Sequence, residues 1–456
     1  MEWTLRLVGT GIDGQSRSCD VMSITRPDDL GDIANLGLTL AESKQLLATV
    51  QQVVVAAQAD HRTLFRPNCQ ACGRMYHVKD RRAHRVATLF GEVRVTLPRL
   101  VCGGGCGATG ISWPSHCRST PELNQLQARL FALMPYRVAA DVLKHLLPVD
   151  AGTSPETLRG HTLQVGKQLA DRAAAKPPAA AATSAITISV DSTFIRGRDD
   201  GERHLEVRVG NVETGRGARQ VFGAVTRTET DITALIQRTL ETIGRTDTTE
   251  VTAFTDGCPG LRTVLANAGV TKPPILDWFH IAMRLQHTKL AAANLSIDDP
   301  DRVAAKAVIV AEVERLHWRI WNGKAKNVQR SIKRIRKVMP VFKGEQSQGA
   351  KGVASRKLWH ALHAIDKYLR GQAAWLVNYA KRHCAGLRVG TSITEGTANF
   401  LVNRRMNKSQ QMRWSRKGAD LLLQVRCAVY NGTLGAGFGH RFDRIGNADL
   451  AFAKAA

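Results

Sequence analysis

The sequence predicts an α/β protein. A mixed-sheet domain of order βββαβαβ is interrupted by a basic helical insertion and preceded by a cysteine-bearing β module and a helical region. Three observations predict it. Residues 186–282 run through β-branched apolar stretches, first separated by turn residues and then by segments of helical spacing. Residues 283–390 keep helical spacing almost throughout and are rich in Lys and Arg. Four of the nine cysteines fall in two close pairs inside residues 61–119.

The 456 residues suffice for two or three domains with a sizeable core, and the apolar fraction of 43% is that of a globular protein. Lys and Arg number 64 against 39 Asp and Glu, a formal charge of +25. That balance predicts a polyanionic partner, nucleic acid before an anionic membrane, because no basic stretch joins an apolar face to a lipidation signal. No apolar run approaches the roughly 20 residues that span a bilayer. The start, "MEWTLRLVGTGIDGQ", lacks a basic segment followed by an apolar block. The expected address is cytoplasmic, and no membrane partner is expected. Nine unevenly spaced cysteines argue against a disulfide framework.

In order along the chain, residues 1–60 read as a strand ("WTLRLVG"), a loop, and a helix with Thr39 as N-cap. Residues 61–119 read as a zinc-ribbon-like module around the strand pattern "TLFGEVRVTLPRLVC". Residues 120–172 read as a helix-turn-helix-like DNA-binding region: one helix stops at Pro148, and the next starts with Ser154 as cap and Pro155 in its first turn. Ala/Pro-rich residues 173–185 read as a linker. Beyond the core (186–282) and the insertion (283–390), residues 391–432 read as a helix bearing an acid and then a basic helical region, and 433–456 as a loose tail. The fifth strand of the core is expected in "PPILDWFHIA".

The pairs Cys69/Cys72 and Cys102/Cys106, in "CQAC" and "CGGGC", have metal-knuckle spacing. Four thiolates fill a zinc tetrahedron, so such a site is structural. His77, His84, His116 and Cys117 are spare ligand candidates, and the neighbouring "KDRRAHR" could rest on phosphates.

The apolar strand "ITISV" runs into Asp191, and "EVTAFT" runs into Asp256. This strand succession resembles the ribonuclease-H-like fold, in which a carboxylate at the end of the first strand faces one after the fourth, with a third acid from a later helix. Glu395 is the chosen third acid, Asp277 its rival, and His280 is expected in the core. Clustered carboxylates can hold two Mg²⁺ or Mn²⁺ ions for in-line attack on phosphorus. Each Asp taken alone could equally cap a turn.

At "TEGTANFLVNRRMNKSQQMRWSRKGADLLLQVR" the chain resembles the C-terminal signature of the ISKra-type, DDE-class bacterial insertion-sequence transposases. "FTDG", "DWFHI" and the cysteine knuckles resemble the same family in the same order, over roughly residues 38–440. The resemblance implies Asp191, Asp256 and Glu395 as catalytic triad. It also implies a helical insertion filling the 138 residues between the last two. The partners it implies are the element's terminal inverted repeats and target DNA, with a homodimer or larger assembly on paired ends. A catalytically silent DNA-binding regulator and a nuclease without joining activity are the alternatives.

Two basic stretches lack acids. Lys324–Lys337 supplies Lys324, Lys326, Arg330, Lys333, Arg334, Arg336 and Lys337. Arg404–Lys417 supplies Arg404, Arg405, Lys408, Arg413, Arg416 and Lys417, with Trp414 able to stack on an unpaired base. Trp318, Trp321, Trp359 and Trp375 are expected in the core of the insertion.

Overall fold

A computed structural model of the chain describes residues 1–11, 14–28, 31–33, 36–64, 67–109, 118–149, 153–174, 181–199, 201, 203–215, 217–225, 228–342, 352–390, 396–407 and 412–435. The chain divides into two compact units. One is Met1–Ala170 with the chain from Ala428 onward, and the other is Asp171–Cys427.

In the first unit, β1 (Glu2–Thr10) and β2 (Ser16–Thr25) form an antiparallel hairpin. The sequence reading placed a loop where β2 runs. Almost all of β2 is exposed, so it carries no apolar alternation to betray it. Helix α1 (Leu40–Leu64) starts at a reciprocal cap: Glu42 N–H donates to Thr39 Oγ1 at 3.2 Å, and Thr39 N–H donates to the Glu42 carboxylate at 2.8 Å. Its Val55 and Ala59 pack on Val86, Val95 and Leu97 of a three-stranded antiparallel sheet. That sheet is β3 (Tyr76–Thr88), β4 (Gly91–Cys102) and β5 (Ala108–Thr109). β4 was expected. β3 was not, since "KDRRAHR" reads as a basic surface run, and it is one: Arg81, Arg82 and Arg85 are exposed on the strand.

Helices α2 (Pro121–Leu133), α3 (Tyr136–Leu146) and α4 (Pro155–Ala174) follow. Thr120 caps α2, and Ser154 Oγ accepts Thr157 N–H at 3.2 Å to start α4. Phe131, Ala139, Ala140, Leu143 and Leu158 make their shared core. Residues 150–152, within the expected turn, and 175–180, within the expected linker, lie outside the described residues.

The second unit is built on a five-stranded mixed sheet of β6 (Ala185–Arg196), β7 (His204–Thr214), β8 (Arg219–Ala224), β9 (Glu250–Thr255) and β10 (Ile275–Leu276). The spatial order is β10-β9-β6-β7-β8. β6 pairs antiparallel with β7 and parallel with β9, and β10 pairs parallel with β9. Helices α5 (Glu229–Thr242) and α6 (Pro259–Asn267) supply the connections and bury Ile232, Ile236, Leu240, Leu261 and Val264 against Ile186, Ile188 and Val190. In the sheet, Gly210 must be glycine: a Cβ there would lie 2.2 Å from the Phe222 ring.

The fifth strand is only two residues long, a correction to the expected span. Asp277 ends it by capping the next helix, α7 (Trp278–Ala293), so "WFHIA" is helical. Helices α8 (Pro300–Trp321), α9 (Ala325–Val338), α10 (Gly352–Gly371) and α11 (Tyr379–Cys384) complete the insertion. Their apolar faces form two cores, one continuous with Phe254 and Leu276 of the sheet, the other around Ile309, Val313, Ile335, Phe342 and Leu358.

After residue 395 the chain forms a π-helical segment, Asn399–Asn407, and then α12 (Arg416–Tyr430). Both pack on the face of the sheet bearing Ile195, Val207, Val209 and Val221. The buried guanidinium of Arg426 donates to the carbonyls of Leu401 and Phe400 in the widened helix. Burial holds Arg426 down to about 10. Among the described residues, no helix is long and apolar enough to cross a membrane.

Candidate functional site

Strand register builds the first candidate site. Val190 lies opposite Thr255 on β9, and Thr255 lies opposite Leu276 on β10. Asp191, Asp256 and Asp277 are each the next residue. Parallel pairing therefore brings three carboxylates onto three adjacent strands at one level, one residue past the β6–β9–β10 pairing. β6 does not stop at Asp191: it continues to Arg196 against β7, and only its pairing with β9 ends at Val190. The carboxylate stands where a neighbour strand runs out, at the open edge of a buried sheet.

Each acid spends one oxygen on its own turn. Ser192 N–H donates to Asp191 Oδ1 at 2.8 Å, Cys258 N–H to Asp256 Oδ1 at 2.8 Å, and Phe279 N–H to Asp277 Oδ1 at 2.9 Å. The turn-capping role weighed in the sequence reading is thus real for all three. His280 Nε2 lies 3.7 Å from Asp277 Oδ2, a ring only partly buried and facing an acid rather than enclosed in the core. Burial pushes the Asp191 carboxyl above its usual range. His280 opposes that rise, while Asp256 and Asp277 add to it.

Residues of α10 and α6 clamp the Asp256 turn. Tyr368 Oη donates to the Asp256 carbonyl at 2.8 Å, and Gln372 Nε2 and Arg262 Nη2 donate to the Gly257 carbonyl at 2.8 and 2.6 Å. Gly257 has φ 95° and no room for a Cβ against Gln372 and Leu276. The sequence reading missed Tyr368 and Gln372. They stand over a hundred residues from Asp256, and no local spacing links them to it.

Among the described residues the three carboxylates do not close to within 4.8 Å of one another; only the cysteine group does. Glu395 lies outside the described residues. The acid that the sheet brings beside Asp191 and Asp256 is the rival, Asp277.

The second candidate site is that cysteine group. The Sγ atoms of Cys69, Cys72, Cys102 and Cys106 all lie within 4.8 Å of one another. Zinc–thiolate bonds of about 2.3 Å in a tetrahedron set the sulfurs about 3.7 Å apart, so the set fits a tetrahedral thiophilic ion such as zinc. Both knuckles turn on glycine. Gly73 and Gly107 have φ of 73° and 124°. Gly104 donates its N–H to Cys102 Sγ at 3.3 Å, and a Cβ on it would come within 3.1 Å of Cys72 Sγ. The Tyr76 hydroxyl and the N–H groups of Ala71 and Cys72 hold the Cys69 thiol down to about 6. The thiols of Cys72 and Cys102 push Cys106 up to about 12. Four thiols this close cannot all ionise without a cation among them. His77 and His84 are not in the group, and His116 and Cys117 lie outside the described residues.

The basic stretches divide. On α9, Val328, Ile332 and Ile335 face the core, while Lys326, Arg330, Lys333, Arg334 and Lys337, with Lys324 just before the helix, are exposed. Arg336 is bonded instead to the buried Asp366 at 2.8 Å. In the second stretch, Arg404, Arg413 and Lys417 are exposed, Arg416 is half-buried, and Lys408 lies outside the described residues. Two expectations there are overturned. Trp414 is 6% exposed, donates Nε1–H to the Met406 carbonyl at 3.0 Å and bridges Gly197, so its ring is core and cannot stack on a base. Arg405 is 3% exposed, packed beside Trp414 and donating to Met412 Sδ. The insertion tryptophans also correct the reading. Trp321 and Trp375 pack on the core, but Trp318 and Trp359 are about half-exposed, stacked on His317 and His363.

No family model matches the chain, and no curated protein matches it.

Proposed function

We propose that the protein is a DDE-class DNA transposase that binds the ends of an insertion sequence, cuts there and joins the freed 3′-hydroxyls to target DNA. The observation that carries this reading is the shared register of β6 and β9. It brings Asp191 and Asp256 side by side where the β6–β9 pairing ends, the place at which the ribonuclease-H-like fold keeps its first two acids. A central first strand flanked by the second and the fourth agrees with that fold.

The donors are hard carboxylate oxygens, suited to Mg²⁺ or Mn²⁺; Asp191 and Asp256 are part-exposed, whereas Asp277 is buried. Asp191 and Asp256 would hold such ions with Glu395, or with Asp277 in its place. Bound there, two ions supply activation of a water or 3′-hydroxyl and stabilisation of the leaving oxygen. The chain's own part is positioning. Tyr368, Gln372 and Arg262 fix the turn that aims Asp256, and the Ser192 N–H fixes one oxygen of Asp191. The exposed cations of α9 suit phosphates, and the cysteine module and α2–α4 suit end recognition.

The test is strand transfer from pre-cleaved ends in Mg²⁺. Joined product supports the transposase. Cleavage alone means a nuclease, and binding alone means a silent regulator.

A further inference from the structure

Helices α7 and α10 pack side by side, and a groove of about 870 Å³ runs between them. Arg284, His287 and Asn294 line one wall, and Lys357 and His360 the other. The floor is small and apolar, largely alanine, and among the described residues no carboxylate lines the groove.

The α7 wall of the groove starts at Arg284, one helical turn from His280. His280, Arg284, His287, Ala291 and Asn294 follow at i, i+4, i+7, i+11 and i+14, one stripe along α7. His280 faces Asp277 at 3.7 Å. Arg284 donates to the His280 carbonyl at 3.3 Å, and its guanidinium lies 4.2 Å over the Tyr368 ring, whose hydroxyl holds the Asp256 turn. From His280 to Asn294 the stripe is about 21 Å long at ~1.5 Å per residue. Spread over the ~15 Å from Arg284 to Asn294 and widened by a water radius on each side, the volume leaves a channel roughly 10–11 Å across. A B-form duplex, whose major groove alone is about 12 Å wide, does not enter such a channel. One extended strand does.

We propose that this groove takes an unpaired DNA strand and leads it to the carboxylates. Arg284 and Lys357 meet its phosphates, His287 and His360 meet base edges or faces, and the alanine floor leaves room for the bases. The inference rests on the transposase reading and adds to it that the site works on ends carrying a single-stranded segment.

Fluorescence anisotropy of the full chain, without divalent ions, tests it with two probes: a blunt duplex, and the same duplex with a five-nucleotide single-stranded extension. The extension should tighten binding by about tenfold, in line with the energy of stacking and phosphate contacts to a short strand. Lys357→Glu and the groove-filling Ala364→Trp, both at exposed positions, should abolish that gain while leaving blunt-duplex affinity and melting temperature unchanged. No gain in the wild type, or a gain that survives both variants, overturns the groove. Strand transfer separates the two readings. Joining without an extension gain sinks the groove alone, whereas an extension gain without divalent-dependent joining sinks the transposase and leaves the groove.

Discussion

Asp191 and Asp256 stand one residue beyond Val190–Thr255, the last register pair between two parallel strands. Burial and two neighbouring acids disfavour the ionised form of Asp191. Its carboxyl is therefore raised above the unfolded value of 3.8, and the folded chain holds that proton to higher pH. The stabilisation is fully present below 3.8 and is lost as pH rises through the folded value. Asp191→Asn should accordingly raise the melting temperature at neutral pH, with the gain fading toward pH 4. Mg²⁺ should stabilise the wild type and not the variant, and strand transfer should fall by at least about 10³-fold. Thermal melts across pH, with and without Mg²⁺, check this.

Asp277 is both a neighbour of Asp191 and the N-cap of α7. Asn also caps, so Asp277→Asn removes the charge and keeps the helix, whereas Asp277→Ala should cost about 0.5–2 kcal/mol as well. Glu395→Gln is expected to abolish strand transfer with end binding intact. Full activity in that variant, with loss in Asp277→Asn, would transfer the third role to Asp277.

For the cysteine group the expected result is one zinc per chain by elemental analysis. It should fall to a small fraction in Cys72→Ser, and a strong chelator should lower the melting temperature of the first unit. Loss of end binding with retained joining of pre-bound ends would place that module in recognition.

Lys333 and Lys337 are exposed on α9, while Arg336 on the same helix is tied to Asp366. Lys333→Glu/Lys337→Glu should weaken DNA binding uniformly across sequences. It should also reduce the slope of log affinity against log salt by about 1 per lost phosphate contact. Arg336→Ala should instead destabilise the fold, because it leaves one partner fewer for a buried carboxylate. Salt titrations and melts separate the two.

Trp414 fills the core between the sheet and α12. Trp414→Ala should cost about 3–5 kcal/mol of stability. Trp414→Phe, which keeps much of the volume, should bind single-stranded DNA as the wild type does. A selective loss of that binding in a folded Trp414→Phe would restore the stacking role that the geometry removes.

Some of this was legible locally. Thr39 and Ser154 cap helices because a short polar side chain meets free N–H groups within three residues, an interaction contained in the sequence window. The cysteine pairs declared themselves because a knuckle is also local. The basic character of Lys324–Lys337, along α9, showed as seven Lys and Arg without an acid, but that Arg336 would pair with Asp366 did not. The exposed β2 and the arginine-studded β3 left no apolar signature, and the fifth strand was cut short by a cap that reads like a strand end.

The amino-acid order alone therefore determined the helix starts at Thr39 and Ser154, the paired cysteine knuckles, the excess of positive charge and the pair of strands that run into carboxylates. Tertiary structure decided which acids become neighbours, that Trp414 and Arg405 turn inward, and that Tyr368 and Gln372 reach back across the chain to hold Asp256. The physical reason is sequence distance. A cap or a knuckle is settled by groups a few bonds apart, whereas β10-β9-β6 order and the burial of a side chain are settled by partners that meet only when the sheet closes.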